Sequence, residues 1–256
     1  MPLPVCPPWA DAGAGFLQPE GVLPAPFALP SSPPQLLRCS WVGLFLAALG
    51  LAVGAAALAA GPLPEVVAVP SRPAFVTLPG AMERAASVGQ VLRPATLLRT
   101  QKPGRLQVRL ADGRSFRLGG DALLRIGSRE LDLQRGQIIA WVNPGSPGQG
   151  RLRIHTRVAT ASIEGTTVFI EATPAQVRLF SWEGQVRVSL ASGQQVVLQS
   201  GEELLFRDAA WQPKRRLSRD EARARSSASI LLNDFAAPME TLPIIRRELA
   251  LDDQTP

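Results

Sequence analysis

From Ala81 to Trp211 the apolar residues come in short bursts separated by turn residues. The bursts recur at intervals of roughly 8 to 12 residues, a spacing that predicts short strands in a sandwich, barrel or solenoid. The clearest unit is Leu106–Leu110, the pair Asp112-Gly113 and Ser115–Leu118. Val108 and Leu110 alternate with Gln107 and Arg109, the pattern of a half-buried strand. Asp-Gly between two such runs predicts a hairpin, because Gly accepts the positive φ of a tight turn. Further strands are expected at 88–99 (an edge strand, given Pro94), 123–126, 130–133, 137–142, 151–158, 161–171, 176–182, 185–190, 195–198 and 202–206.

Two segments echo each other within this region. Val108-Arg-Leu-Ala-Asp-Gly113 matches Val188-Ser-Leu-Ala-Ser-Gly193, and Leu133-Gln-Arg-Gly-Gln137 matches Leu198-Gln-Ser-Gly-Glu202. Reuse of a strand, turn, strand unit predicts stacked short strands and hairpins, sandwich or solenoid-like, in which units cover one another's apolar faces.

The stretch Ile154–Ile170 carries a more specific pattern: a strand ending in Thr156, small residues at 159–162, Ile163, then Gly165-Thr166 and Phe169. It resembles the central signature of the FecR domain family. The flanks are similar too: Ala111-Asp-Gly113 and Leu131-Asp-Leu-Gln-Arg-Gly136 before it, Trp182-Glu-Gly-Gln-Val186 and Gln199-Ser-Gly-Glu202 after it. The resemblance spans about residues 100 to 206 and implies a bacterial, extracytoplasmic all-β domain. The best-understood members span the inner membrane and relay iron-uptake signals from an outer-membrane receptor to a sigma factor. They do so with a helical cytoplasmic domain, where this chain has the short, proline-rich Met1–Arg38. The motif residues Thr156, Ile163, Gly165, Thr166, Phe169 and Gly184 read as structural, with Gly165 allowing a tight bend, Thr166 and Thr167 bonding its backbone and Phe169 filling the core beneath it.

Ahead of the β-rich region lies Trp41–Gly61, 21 residues without a charge. That is long enough to cross a bilayer as a helix. Arg38 precedes it and the next base is Arg72, which places the N-terminus in the cytoplasm and the remainder outside. The small residues Ala57-Leu58-Ala59 leave cleavage as a signal peptide open. Either way the rest of the chain is exported, to a single-pass inner-membrane position or, after cleavage, to the periplasm. The expected organisation is a disordered leader at 1–38 with ten prolines among Met1–Gln35, the apolar helix at 39–61, a linker at 62–80 with room for one short strand, the β domain at 81–211 and a helical tail at 212–256. Cys6 and Cys39 both precede the apolar run, so the domain must stand without a disulfide.

In the tail, Ser218-Arg-Asp-Glu221 is a capping box that predicts a helix over 219–232. Thr241-Leu-Pro243 opens a second helix, with Leu242, Ile245 and Leu249 on one face. The two are expected to pack on an open end of the β region and protect an edge; a detached partner-binding tail is the alternative.

The sequence assembles no catalytic constellation, no metal-ligand spacing and no phosphate loop, so no enzymatic activity and no cofactor are expected. The formal charge of +6 comes largely from Arg residues along the strands, which suits a solvated face or an anionic partner. Nucleic acid is excluded as a partner by the absence of a recognised motif and by export. The candidate contacts are Trp182, as a stacking platform for sugars, and Arg153, His155 and Arg157 along one strand. The reading is a membrane-anchored module, held by Trp41–Gly61, that binds an envelope protein or anionic polymer or serves sensing. Its alternatives are a relay of iron-uptake or envelope signals to a sigma factor and a periplasmic glycan-binding module.

Overall fold

The computed structural model describes residues 62–143 and 150–251. The leader 1–38, the apolar run Trp41–Gly61 and both cysteines lie outside the described residues. Among the described residues no helix is long and apolar enough to cross a membrane.

Chain order is β1 (Glu65–Ser71), β2 (Ala74–Thr77), β3 (Arg84–Ala85), β4 (Leu97–Thr100), β5 (Arg105–Arg109), β6 (Ser115–Ile126), β7 (Glu130–Trp141) and β8 (Leu152–His155). Then follow β9 (Ala159–Ile163), β10 (Thr167–Ala172), β11 (Gln176–Glu183), β12 (Val186–Leu190), β13 (Gln195–Leu198), β14 (Glu202–Arg207), β15 (Ala210–Trp211) and β16 (Arg215–Arg216). Three helices close the described chain: α1 (Arg219–Ala228), α2 (Ile230–Asn233) and α3 (Leu242–Glu248). The fold is all-β with C-terminal helices.

The expected hairpin forms. Leu106 faces Leu118 and Arg109 faces Ser115 in an antiparallel register, with Gly113 at φ +86 in the turn. Its echo is the same device: β12 and β13 pair antiparallel around Gly193, also at φ +86.

Two pairs of expected short strands turn out to be continuous. β6 runs through Gly119 and Gly120, and β7 runs through Gly136. Their register shifts between Gly119 and Leu124, opposite Gly136 at φ +93. A Cβ on Gly136 would stand 2.2 Å from the Cα of Ala122, so only glycine allows the two strands to meet there. The extra residue also inverts the facing pattern. Leu131 and Leu133 enter the core between the layers before it and Ile138 and Ala140 after it, so odd positions give way to even ones.

This bent hairpin serves two layers. The second half of β6 pairs with β4, and the first half of β7 pairs in parallel with β8, continuing through β9 and β12 to β13. The first half of β6 pairs with β5 and the second half of β7 with β10, continuing through β11 to β14. The second echo marks a further crossover, where Gly201 at φ +78 carries the chain from β13 in one layer to β14 in the other. Between the layers lies one core that includes Leu106, Phe116, Leu124, Ile154, Ile170 and Leu179. Each such aliphatic side chain contributes about 1.5–3 kcal/mol by leaving water.

Three expectations need correction. Residues 62–80 are not a spacer: β1 pairs with β5 and β2 with β3 and β4, burying Val66, Ala74 and Val76. The prolines misled because β1 is an edge strand with two register shifts, where missing donors cost little. The strand expected at 88–99 begins only after Pro94, as β4, and is flanked by β2 and β6 instead of lying at an edge. The helices do not protect an edge. They lie across the outward face of the second layer, where Ile139, Trp141, Phe180 and Trp182 pack with Leu217, Leu231, Leu232 and Ile245.

The capping box is present as read, with Ser218 accepting from the Glu221 amide and Glu221 reaching back to Ser218. These bonds, with Arg215, hold the Glu221 carboxyl at a pKa of about 2. The expected helix over 219–232 breaks at Ser229, whose ψ of 101° is extended; its hydroxyl restarts the chain as α2 by accepting from the Leu232 amide. In α3, Ile245 is fully buried, with Leu242 and Leu249 packed beside it.

Candidate functional site

The family-type motif builds turns that interlock. Thr156 closes the β8–β9 turn, its hydroxyl donating to the Ala159 carbonyl at 2.9 Å and accepting from the Ala159 amide at 3.2 Å. Ile163 is fully buried in the core. Gly165, at φ +61, delivers Thr166, whose hydroxyl donates to the Glu183 carbonyl and so ties this turn to the β11–β12 turn. There Gly184 has φ +68, and a Cβ on it would stand 2.9 Å from the Thr166 hydroxyl. The two glycines and Thr166 therefore act as one joint. Phe169 does not fill the core beneath it. Val168 and Ile170 do, and the parity of β10 sends Phe169 outward against the helices.

The four candidate contact residues do not converge. Arg153 and His155 face outward from the first layer, since Leu152 and Ile154 between them are buried. His155 bridges Thr160 and Glu130, with both ring nitrogens at 2.9 Å from oxygen. Arg157, in the turn beyond, reaches the carbonyls of Thr173 and Pro174 and lies over the Phe206 ring. Trp182 lies on the outward face of the second layer, 1 % exposed, edge-on to Phe180 at 4.8 Å between ring centroids. A stacking platform needs an open ring face, so Trp182 does not provide one; the helices cover it.

The chemically richer region is that covered face. Arg117 is 1 % exposed at its centre. It donates to Gln107 Oε1 at 2.9 Å and to the carbonyls of Leu231, Leu232 and Ala237 at 2.9, 3.1 and 2.7 Å. Its guanidinium lies 4.4 Å from the Phe235 ring centre. Burial lowers its pKa to about 10, still far above neutrality. Gln107, expected on a solvent face, is buried because it serves this arginine. Trp141 Nε1 donates to Glu240 at 2.7 Å, and Arg105 pairs with Asp234 at the end of α2.

A second polar line runs under α3. Thr167 Oγ1 lies 2.8 Å from both Glu183 Oε1 and Thr241 Oγ1, and all three residues are buried. Burial, against the Thr167 bond and with help from the nearby Glu248 charge, raises the Glu183 pKa to about 7. Glu248 also accepts from the Gly184 amide at 3.0 Å and from the Ser200 hydroxyl, pinning the end of α3 to the β11–β12 turn.

Where the chain kinks at Ser229, the helices lift off the sheet and leave a cleft of about 240 Å³. Its floor is Gln137 from β7, Phe169 and Glu171 from β10, and Arg178 and Trp182 from β11. Its wall is Arg225 and residues 228–231. Glu203, 5 % exposed, lies beside it and gathers Arg225 at 2.6 Å, Arg215 at 3.1 Å and Arg178 at 3.3 Å. Among the described residues no group of His, Cys, Asp and Glu is placed to hold a metal ion.

None of Arg117, Glu203, Arg225 or Glu240 stood out in the sequence, and Thr241 was read only as a helix start. One signal was available: Ile138-Ile139-Ala140-Trp141 and Leu179-Phe180 are apolar on both parities, the mark of a strand buried on both faces.

Residues 96–187 match the family model described as FecR protein. The resemblance read from the motifs thus holds, and the chain carries a FecR domain over β4 to β12. No curated protein matches the chain. Two crystal structures of a proposed anti-sigma factor from Parabacteroides distasonis ATCC 8503 are similar, each at 16 % identity, with TM-scores of 0.40 and 0.43. The alignments cover 47 % and 50 % of this chain and 60 % and 64 % of the other, so this chain spans less than two thirds of the protein it resembles.

Proposed function

We propose that this chain is a non-catalytic recognition module of the bacterial envelope, with its FecR domain displayed outside the inner membrane and Trp41–Gly61 as its tether. The observation that carries the reading is the FecR match over residues 96–187. The uncharged 21-residue run ahead of the domain supports export. Its partner is an envelope protein or anionic polymer met by the arginine-bearing outer strands. Protease accessibility in cells tests the topology. Residues 62–256 should be digested once the outer membrane is permeabilised and before the inner membrane is lysed. Protection until inner-membrane lysis overturns the proposal.

A second reading, relay to a sigma factor, is favoured by the role of the best-understood FecR proteins. It requires the leader 1–38 to act in the cytoplasm. N-terminal sequencing of the mature protein decides it: cleavage after Ala59 or Ala60 removes the leader and with it the relay.

A further inference from the structure

The chain enters the β domain at one end of the two layers. Pro64 is already fixed there: its carbonyl accepts from the Leu92 amide at 2.7 Å, and Val91 faces Glu65 across an isolated bridge. The turn that follows is tied to the end of β6, since the Ala95 amide donates to the Ile126 carbonyl at 2.7 Å. Leu97 pairs with Thr77, which brings the β2–β3 turn and Met82 to the same end. Pro64, Asp112 and Arg129 line one small cleft, so the β5–β6 and β6–β7 turns meet there too.

Two properties set this end apart. Leu63, Met82 and Val91 are half of the large apolar side chains exposed among the described residues, and Met82 is 86 % exposed. The carboxylates of these turns are engaged: Glu65 by Arg109, Glu83 by Arg99, Asp112 by Arg114 and Glu130 by His155. Arg93 and Arg129 are exposed and have no ion pair among the described residues. Exposed apolar side chains beside free cations suit an anionic lipid surface, which offers both hydrocarbon and phosphate. Chain length points the same way. A helical tether of 21 residues takes up about 32 Å. The hydrocarbon core it must cross is about 30 Å thick. Only Pro62 and Leu63 then separate the tether from Pro64, a reach of about 7 Å. That is comparable with one headgroup layer and leaves no stalk.

On the tether reading above, we propose that this end of the domain rests on the membrane surface. Leu63, Met82 and Val91 enter the lipid interface, and Arg93 and Arg129 bond lipid phosphates. The bend of β6 and β7 then points away from the lipid, because β1 runs from this end to Ser71, which faces Arg105 beside Gly119.

The test is nitroxide collision, read by electron paramagnetic resonance, on the full chain in vesicles of phosphatidylcholine and phosphatidylglycerol. With Cys6 and Cys39 replaced by Ser, single labels are placed on Leu51→Cys in the tether and on Ala81→Cys or Ser128→Cys in the exposed turns of the entrance end. Ala175→Cys marks the bend end, in the turn after Ala172, which pairs with Gly136. Labels at 51, 81 and 128 should collide more with oxygen, which concentrates in lipid, than with an aqueous nickel chelate. The label at 175 should show the reverse. Met82→Asp with Val91→Asp should shift 81 and 128 toward the chelate, leave 51 unchanged and keep the melting temperature, since both side chains are exposed. Arg93→Gln with Arg129→Gln should give a smaller shift in the same direction. The proposal is overturned, with the tether left standing, if 51 reads lipid while 81 and 128 read water. Shielding of 81 and 128 from both reagents marks a protein occupant and overturns it too, as does a lipid reading at 175 or the absence of a shift in the Asp variant. Water at 51 removes the tether and the proposal together.

Discussion

Phe116 and Arg117 are neighbours on β6 and are almost equally buried, at 0 % and 1 % exposure. Phe116 enters the core between the layers, among aliphatic side chains. Arg117 enters the space under the helices, where every bond it makes is directed at a particular oxygen. The first environment is held by area and packing, which tolerate exchange of like for like. The second is held by geometry, because a buried guanidinium is affordable only when its donors are met. The inner core decides whether the domain folds; the outer one decides where the C-terminal segment lies.

The sharpest way to break that comparison is to truncate each neighbour. Phe116→Ala should cost about 4 kcal/mol and lower the melting transition of the whole domain. Arg117→Met should cost less, about 3 kcal/mol, and act locally. In limited proteolysis the Met variant should be cut within residues 212–251 while the β domain persists. Loss of the entire β signal in Arg117→Met would show that the two environments are one cooperative unit.

The pH dependence sharpens the contrast. Folded Glu183 keeps its proton to about pH 7, whereas the unfolded chain releases it near 4.5. Between these values the folded state binds more protons, so the contribution of Glu183 to stability falls as pH rises and levels off above about 7. The full span is at most about 3 kcal/mol. Thr167 has one hydroxyl proton and two partners, so it donates to only one of them at a time, and ionised Glu183, which can only accept, must receive it. Denaturation from pH 4.5 to 8 should show the parent losing ground relative to Glu183→Gln. Parallel curves would remove Glu183 from the account. The smallest effect is expected from Ser218→Ala, about 1 kcal/mol, seen as faster amide exchange in α1 with the β domain unaltered.

The hairpin at Asp112-Gly113, its echo at Gly193 and the Ser218–Glu221 box were legible because each depends on residues within a few positions of one another. The FecR motifs were legible for the same reason. Their meeting was not: Thr166 touches the Gly184 turn only because β10 and β11 pair. The strands at 65–77 were hidden by prolines that matter little at an edge. Trp182 read as a surface aromatic because strand alternation says which side a residue faces, but not whether that side is later covered. Arg117 and Gln107 were missed on the same ground.

The sequence by itself determined the local grammar: short strands, tight glycine turns, a capped helix and the FecR motifs matched over residues 96–187. These follow from backbone stereochemistry and local hydrogen bonding. Only the tertiary structure decided that one bent hairpin serves two layers and that the C-terminal helices close over one face. It also decided that an arginine, a glutamate and a tryptophan become buried there. Burial of a polar group is a property of what arrives from distant parts of the chain, and here residues 217–251 arrive on strands that precede them by up to 129 positions, as Arg105 and Asp234 show.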